Sequence, residues 1–249
     1  MSDNPAPRDA GNWARPVDKL DLSGVQAGGM RLNVAGRHLT GPIRGFGQMW
    51  QKTYWVRLSG APATPQEVIT VWKAEFPSFW PKGNRFYGPL TGIRPGEVAV
   101  LNLAGPGGVT APGETPVIAT GIMVIYADDV SFSFMTPEGH ILAGLITFSA
   151  FAEDGATVAQ VQALIRTMDP LYELSFRLGV GHRTEDDFWQ ATLRNLAARF
   201  NVAGQAQMRS ALVDPRLQWS EAKNVWHNAA IRTAFVLPGE ILKRLLGRS

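Results

Sequence analysis

The chain has 249 residues, no cysteine and a formal net charge of +3 at pH 7. With 45% hydrophobic and 18% charged residues, its composition is that of a globular protein and excludes general disorder. The missing cysteines exclude a disulfide framework, thiolate metal ligands and a cysteine nucleophile. The whole charge excess lies in residues 219–249, where five basic residues outnumber two acidic ones. Because the other arginines and lysines are scattered and form no basic stripe with stacking aromatics, we expect no nucleic acid partner.

The N-terminal part of the chain lacks the pattern of a targeting or membrane segment. It has no basic stretch followed by an apolar core, and no run of about 18 apolar residues occurs anywhere. We therefore expect no signal peptide, no membrane-spanning helix and a cytoplasmic location. Residues 1–46 begin with many proline, glycine and aspartate residues without periodicity, which predicts an N-terminal arm that is partly mobile.

The first regular elements follow that arm. Residues 50–58 alternate between two faces, with Lys52 and Tyr54 on the same face, and this period predicts a strand. Thr64, Pro65 and Glu67 together predict the start of a helix, because they form a capping box with proline at the first helical position. Two shorter strands are predicted at 85–87 and 97–104.

The stretch 116–151 carries the strongest strand pattern in the chain. It contains three apolar runs, which are separated by polar residues at 127–129 and 136–140. In the middle run, Phe132 and Phe134 fall on one face and serines fall on the other. Short connections between strands indicate hairpins, so the stretch predicts an antiparallel meander.

Helical patterns are predicted after Asp154–Gly155. Apolar residues at helical spacing run from Val158 to Met168, and Asp169–Pro170 is expected to kink or restart this helix. Thr184 is predicted to cap a further helix. Ser220 is predicted to cap the last long helix, which Pro238–Gly239 should break.

The order of these elements resembles the START-like (SRPBCC) superfamily. The segments that carry the resemblance are WQKTYWVRLSGAPATPQEVITVWK, the three-run meander and the predicted helical stretch 157–200. The string FSFMTPEGHILAGLITFSAF is similar to uncharacterised actinobacterial members of that superfamily. The resemblance implies an α+β helix-grip fold, in which a curved antiparallel sheet wraps around a long C-terminal helix and encloses a deep apolar cavity.

The resemblance divides the chain into three parts. The helix-grip domain covers residues 47–202, between the N-terminal arm and a predicted helical C-terminal extension at 203–249. Two features depart from the superfamily pattern: the breaks in the C-terminal helical region and the extension itself. Residues 219–249 end in a basic amphipathic segment, which could contact a membrane surface or a protein partner.

Large aromatic residues and methionines on the predicted elements are the candidates for a ligand pocket. Each of them alone is more often an ordinary core residue, but together they suit an adaptable apolar pocket. The set is Trp55, Trp72, Trp80, Met123, Phe132, Phe134, Phe148 and Trp189.

Catalytic chemistry is only weakly indicated. No histidine pair has zinc-ligand spacing, and neither a phosphate-binding loop nor a nucleophile elbow is present, so we expect no metal and no cofactor. His140, Tyr126 and Tyr172 are the candidate polar groups of an active site, although a residue such as His140 commonly just ends a hairpin.

Three functions therefore remain open. The first is binding of a hydrophobic small molecule of the lipid, polyketide or isoprenoid type in an internal cavity. The second is a cyclase- or hydratase-like enzyme of the same fold, which needs a buried acid, base or tyrosine facing the cavity. The third is a peripheral or partner-binding module acting through the C-terminal extension, and a homo-oligomer is compatible with all three.

Overall fold

A computed structural model describes residues 10–112 and 115–245, and it has an α+β fold. Within these residues the strands are β1 (Met49–Arg57), β2 (Arg85–Tyr87), β3 (Val98–Leu103), β4 (Ile118–Ala127), β5 (Ser131–Met135), β6 (Leu142–Glu153), β7 (Ala156–Thr167) and β8 (Gln207–Asp214). They form an eight-stranded sheet in the order β2-β3-β4-β5-β6-β7-β1-β8, with every neighbouring pair antiparallel.

The helices flank this sheet. They are α1 (Pro65–Ala74), α2 (Pro170–Arg177), α3 (Val180–Arg199) and α4 (Ala229–Leu245), with a long 3-10 segment at Trp219–His227 before α4. The sheet curves around α3 and α1, which pack on its concave face. This is the helix-grip arrangement that the sequence resemblance implies, and the fold prediction is confirmed.

The predicted starts of two helices are confirmed. The Thr64 side chain accepts a hydrogen bond from the backbone N–H of Glu67, and the Glu67 carboxylate accepts one from the backbone N–H of Thr64. Asp169 caps α2 by accepting hydrogen bonds from the backbone N–H groups of Leu171 and Tyr172. Both caps satisfy N–H groups that have no partner within the helix.

The predicted helix from Val158 to Met168 is wrong, because this segment is strand β7. Ala159, Ala163 and their alternating neighbours face the concave side, whereas Gln162 is exposed. Small alanines hid this period of 2, and the larger residues happened to match helical spacing. Asp154–Gly155 forms the hairpin turn between β6 and β7 with φ values of 45° and 74°. Aspartate followed by glycine is a strong hairpin signal.

Two further helix boundaries differ from prediction. Helix α3 begins after Gly179, whose φ of 77° is left-handed, and Thr184 lies inside the helix with its hydroxyl donating to the Val180 carbonyl. Helix α4 continues through Pro238, which was expected to break it. A proline in the middle of a helix removes one hydrogen bond, but it does not always end the helix.

The N-terminal arm packs against the convex face of the sheet. Leu20, Leu22 and Val34 form a small second core with Val100 and Met123. Trp13 contacts the ring of Tyr126 at a centroid distance of 4.7 Å. The arm thus covers the apolar outer face of β3 and β4, while residues 1–9 of the predicted mobile arm lie outside the described residues.

The C-terminal extension, predicted as helical, begins instead with strand β8. This strand pairs with β1 and extends the sheet, and Asp214 at its end binds the buried guanidinium of Arg166. Helix α4 packs on β4, where the Thr233 hydroxyl accepts a hydrogen bond from the backbone N–H of Ala119. The extension is therefore built onto the body of its own chain.

Candidate functional site

Aromatic rings fill one half of the space between the sheet and the helices. Phe132 and Phe148 stack at a centroid distance of 4.7 Å, and Trp72 and Phe76 meet them edge-to-face. Trp72, Phe76, Phe132 and Phe148 are all completely buried. This half is a packed aromatic core, in which edge-to-face contacts are favourable beyond the burial of apolar area.

The other half is a cavity of about 370 Å³ between the sheet and helices α2 and α3. Its wall is mainly aliphatic and aromatic, with contributions from β3, β4, β6 and β7 on the sheet side. The small side chain of Ala163 on β7 leaves room where a larger side chain would fill it. The volume lies in the range of known small-molecule sites.

The structure divides the eight predicted pocket residues into three groups. Trp80, Phe134 and Trp189 line the cavity. Trp72, Phe132 and Phe148 lie behind them in the aromatic core. Trp55 and Met123 lie on the opposite face of the sheet, where Trp55 borders a surface groove and Met123 packs under the N-terminal arm.

Two of the three candidate catalytic residues line the cavity. The Nδ1 atom of His140 accepts a hydrogen bond from the backbone N–H of Leu142, and burial lowers the pKa of His140 to about 4. The Tyr172 hydroxyl accepts a hydrogen bond from the backbone N–H of Ala230, and burial raises its pKa. Tyr126 lies elsewhere, because its ring contacts the N-terminal arm and its hydroxyl donates to Asp128.

A buried charge cluster lies beside the cavity between β1 and α3. The ammonium group of Lys52 lies 2.9 Å from Glu185 Oε2 and 2.7 Å from Asp186 Oδ1, and its side chain is 1% exposed. The Tyr54 hydroxyl donates to the same Asp186 oxygen at 2.7 Å. Of this cluster, Glu185 lines the cavity. A lysine cannot be buried at acceptable energy without such carboxylate partners.

The protonation of Glu185 depends on two opposing effects. Burial raises the pKa of its carboxyl group, while the neighbouring Lys52 ammonium lowers it, and burial prevails. For Tyr54, burial and the adjacent carboxylates both raise the pKa of the hydroxyl, which remains a hydrogen-bond donor. The cavity therefore has a titratable acid in its wall.

Sequence reasoning missed Glu185 and Lys52. The signal was present, because Lys52 alternates onto the same face of β1 as Tyr54, a face expected to be apolar. A lysine on the core face of a strand implies a buried acid nearby, but the sequence does not show which acid.

In residues 10–112 and 115–245, no cluster of three or more histidine, aspartate or glutamate side chains could hold a metal ion. No helix within the same ranges has the length and apolar character to cross a membrane.

Comparison with known proteins finds similarity at the level of structure alone. No protein-family model matches the sequence, and no curated protein does. Protein Ms6760 from Mycobacterium smegmatis is 14% identical, with a TM-score of 0.39 over 60% of this chain and 89% of that one. The crystal structure of Ara h 8.0201 is also 14% identical, with a TM-score of 0.40 over 61% of this chain and 98% of that one.

A third similar structure is a two-domain protein, and the match covers only part of it. The di-domain ARO/CYC StfQ from the steffimycin biosynthetic pathway is 10% identical, with a TM-score of 0.42 over 61% of this chain. The match spans half the length of StfQ. In its own architecture, with a curved antiparallel sheet around α3 and a cavity between them, the chain has a helix-grip fold.

Proposed function

We propose that the protein binds a hydrophobic small molecule, of the lipid, polyketide or isoprenoid type, in the cavity between the sheet and helices α2 and α3. The observation that carries the proposal is the cavity itself, about 370 Å³ of space next to a fully packed aromatic core. Phe132 and Phe148 stack at a centroid distance of 4.7 Å, so the interior beside the cavity is tightly packed. The cavity is therefore a local gap left by the residues that line it, and loose packing of the whole interior does not account for it.

The character of the wall supports an apolar guest. Trp80, Phe134 and Trp189 present large aromatic surfaces, and the small Ala163 on β7 leaves space beside them. Removal of an apolar molecule from water into such a wall is favourable in proportion to the apolar area that becomes buried. A few polar groups fix orientation in sites of this kind.

Two experiments test this function together. Mass spectrometry of small molecules extracted from the purified protein should reveal a bound apolar compound. A panel of fatty acids, sterols, polyketides and isoprenoids should contain one that raises the melting temperature. At a hundredfold excess over Kd, binding stabilises the folded form by about 2.7 kcal/mol. For a chain of this size that is a rise of roughly 5–10 °C. If extraction yields nothing and no compound shifts the melting temperature, the proposal fails.

A cyclase- or hydratase-like enzyme of the same fold is the second candidate. It is favoured by three titratable groups in the cavity wall, His140, Tyr172 and Glu185. Buried titratable groups with shifted pKa values are typical of active sites, although structural ion pairs also produce them. Conversion of an extracted ligand by the wild type, and loss of that conversion in Glu185→Gln, would support the enzyme.

The partner-binding alternative concerns the outer surface of the C-terminal extension. Trp226 is 79% exposed and Phe235 is 83% exposed. Deletion of the extension is a poor test, because it removes β8 and the Asp214 partner of buried Arg166. The double substitution Trp226→Ala and Phe235→Ala leaves those contacts intact. Loss of vesicle or protein binding in that variant would support the alternative, and unchanged sedimentation with anionic vesicles would count against a membrane role.

A further inference from the structure

Two polar groups in the cavity wall have no hydrogen-bond partner among the described residues. Both carboxylate oxygens of Glu185 are inaccessible to solvent and make no hydrogen bond, and the same holds for the indole Nε1–H of Trp80. Lys52 lies 2.9 Å from Glu185 Oε2, yet the contact lacks hydrogen-bond geometry, and Lys52 donates instead to Asp186. The ion pair compensates the charge of Glu185, but a buried acceptor or donor without a hydrogen bond is still costly.

The two groups belong to the same region of the cavity. On α3, Phe188 and Trp189 follow Glu185 by three and four positions, so all three residues lie on one face of the helix. The ring of Trp80 contacts Phe188 at a centroid distance of 5.0 Å. An acceptor on Glu185 and a donor on Trp80 thus both belong to the wall of the cavity, which is mainly aliphatic and aromatic.

We propose that Glu185 is the polar recognition group of the cavity, and that it accepts a hydrogen bond from a hydroxyl group on an otherwise apolar guest. The oxygen of the same hydroxyl, or a second oxygen on the guest, accepts from Trp80 Nε1. This assignment rests on the proposed binding function and narrows it to hydroxylated apolar molecules. Unsubstituted hydrocarbons should bind less well, because they leave Glu185 and the Trp80 Nε1–H without a hydrogen bond. Ionised carboxylic acids should also bind less well, because they place a second negative charge beside Glu185.

The charge of the surroundings supports a neutral hydroxyl donor. Lys52 carries one positive charge between two carboxylates, Glu185 and Asp186, and Asp186 already receives hydrogen bonds from Lys52 and Tyr54. Glu185 is therefore the member of the cluster that remains available to a guest. Its side chain is 8% exposed, so a hydrogen bond to it forms away from competing bulk water.

The test compares two probes of nearly equal size, 2-naphthol and 2-methoxynaphthalene, by isothermal titration calorimetry at pH 7. Both have an oxygen that can accept from Trp80, but only 2-naphthol can donate to Glu185. A hydrogen bond to an ionised group predicts that 2-naphthol binds the wild type roughly tenfold to a hundredfold more tightly. In Glu185→Leu the two affinities should become equal, with 2-methoxynaphthalene unaffected or improved.

Glu185→Gln is the second variant, since it keeps the shape and a neutral acceptor and leaves Lys52 paired with Asp186. Its preference for 2-naphthol should fall between those of the wild type and Glu185→Leu. Trp80→Phe should weaken both probes equally. Equal affinities in the wild type, or an unchanged preference in both Glu185 variants, would overturn the assignment and leave the cavity as a binding site. If neither probe binds the wild type, the assignment falls together with the proposed function.

Discussion

Lys52→Met is the substitution whose effect the structure predicts most sharply. Lys52 is 1% exposed and lies within 2.9 Å of both Glu185 and Asp186. Methionine is an unbranched side chain only one atom shorter than lysine, and it removes the charge, so Glu185 remains buried without its cation. Removal of one partner from a buried ion pair destabilises a protein by about 3–5 kcal/mol. For a chain of this size that is a fall in melting temperature of roughly 6–20 °C.

The matched control is Glu185→Gln, which leaves Lys52 paired with Asp186. We expect it to cost less than about 1 kcal/mol. The double variant Lys52→Met with Glu185→Gln should be more stable than Lys52→Met alone, because position 185 then carries no unpaired buried charge. Urea denaturation at pH 7 measures all three. The deficit of Lys52→Met should shrink as the pH falls, since burial raises the pKa of Glu185 and protonation removes the unpaired charge. A loss below 1 kcal/mol for Lys52→Met, or an equal loss for Glu185→Gln, would refute the reasoning.

Three further predictions concern single positions. His140 has a pKa of about 4 in the folded protein against an ordinary value of 6.5, so the unfolded chain binds more protons between these values and the folded form loses about 3 kcal/mol as pH falls through that window. In urea denaturation at several pH values, His140→Asn should not show this loss of unfolding free energy. Glu185 and Asp169, whose pKa values burial raises, have the opposite effect on stability, but they are present in both proteins and cancel when the variant is compared with the wild type. The same dependence of stability on pH in both proteins would contradict the prediction. Gly155→Ala should cost about 1 kcal/mol from its φ of 74° alone, since nothing lies within 4 Å of the added methyl group; a neutral effect would contradict the observed turn. Thr64→Ala should cost about 1 kcal/mol through the lost helix cap, and stability equal to the wild type would show that the cap contributes nothing.

Most of the fold could be predicted from local pattern. Strands β1, β4, β5 and β6 have large apolar residues at period 2 or in unbroken runs, and the α1 and α2 caps have specific residue types at fixed spacing. Strand β7 could not be recognised in this way, because its concave face carries alanine at positions where the alternation needed a larger residue. The Asp154–Gly155 turn was the better signal, since it constrains the backbone whatever the strand residues are.

The start of α3 shows a different limit. Thr184 and Asp187 match a capping pattern, but the helix begins at Gly179, where the chain turns out of α2 with a left-handed residue. A cap pattern is a local preference, and packing of α3 against β1 and the 3-10 segment at Phe76–Phe79 overrides it.

The site could be predicted only in part. Aromatic residues on the concave elements were identified, but their division between packed core and cavity wall depends on which strand face each one occupies. Met123 and Trp55 face the convex side through the register of β4 and β1. Glu185 becomes a candidate only when α3 is placed over Lys52, which is a contact between residues 133 positions apart in the sequence.

The central claim is that the space beside the aromatic core accepts an apolar molecule. Fluorescence titration with N-phenyl-1-naphthylamine, whose emission rises in apolar surroundings, tests it on the wild type, on Ala163→Phe and on Leu164→Phe. Ala163 lines the cavity, whereas Leu164 is the next residue of β7 and faces the opposite side. The account predicts saturable binding of one probe per chain in the wild type and in Leu164→Phe, and loss of that binding in a folded Ala163→Phe. No saturable binding to the wild type, or equal binding to all three proteins, would contradict it.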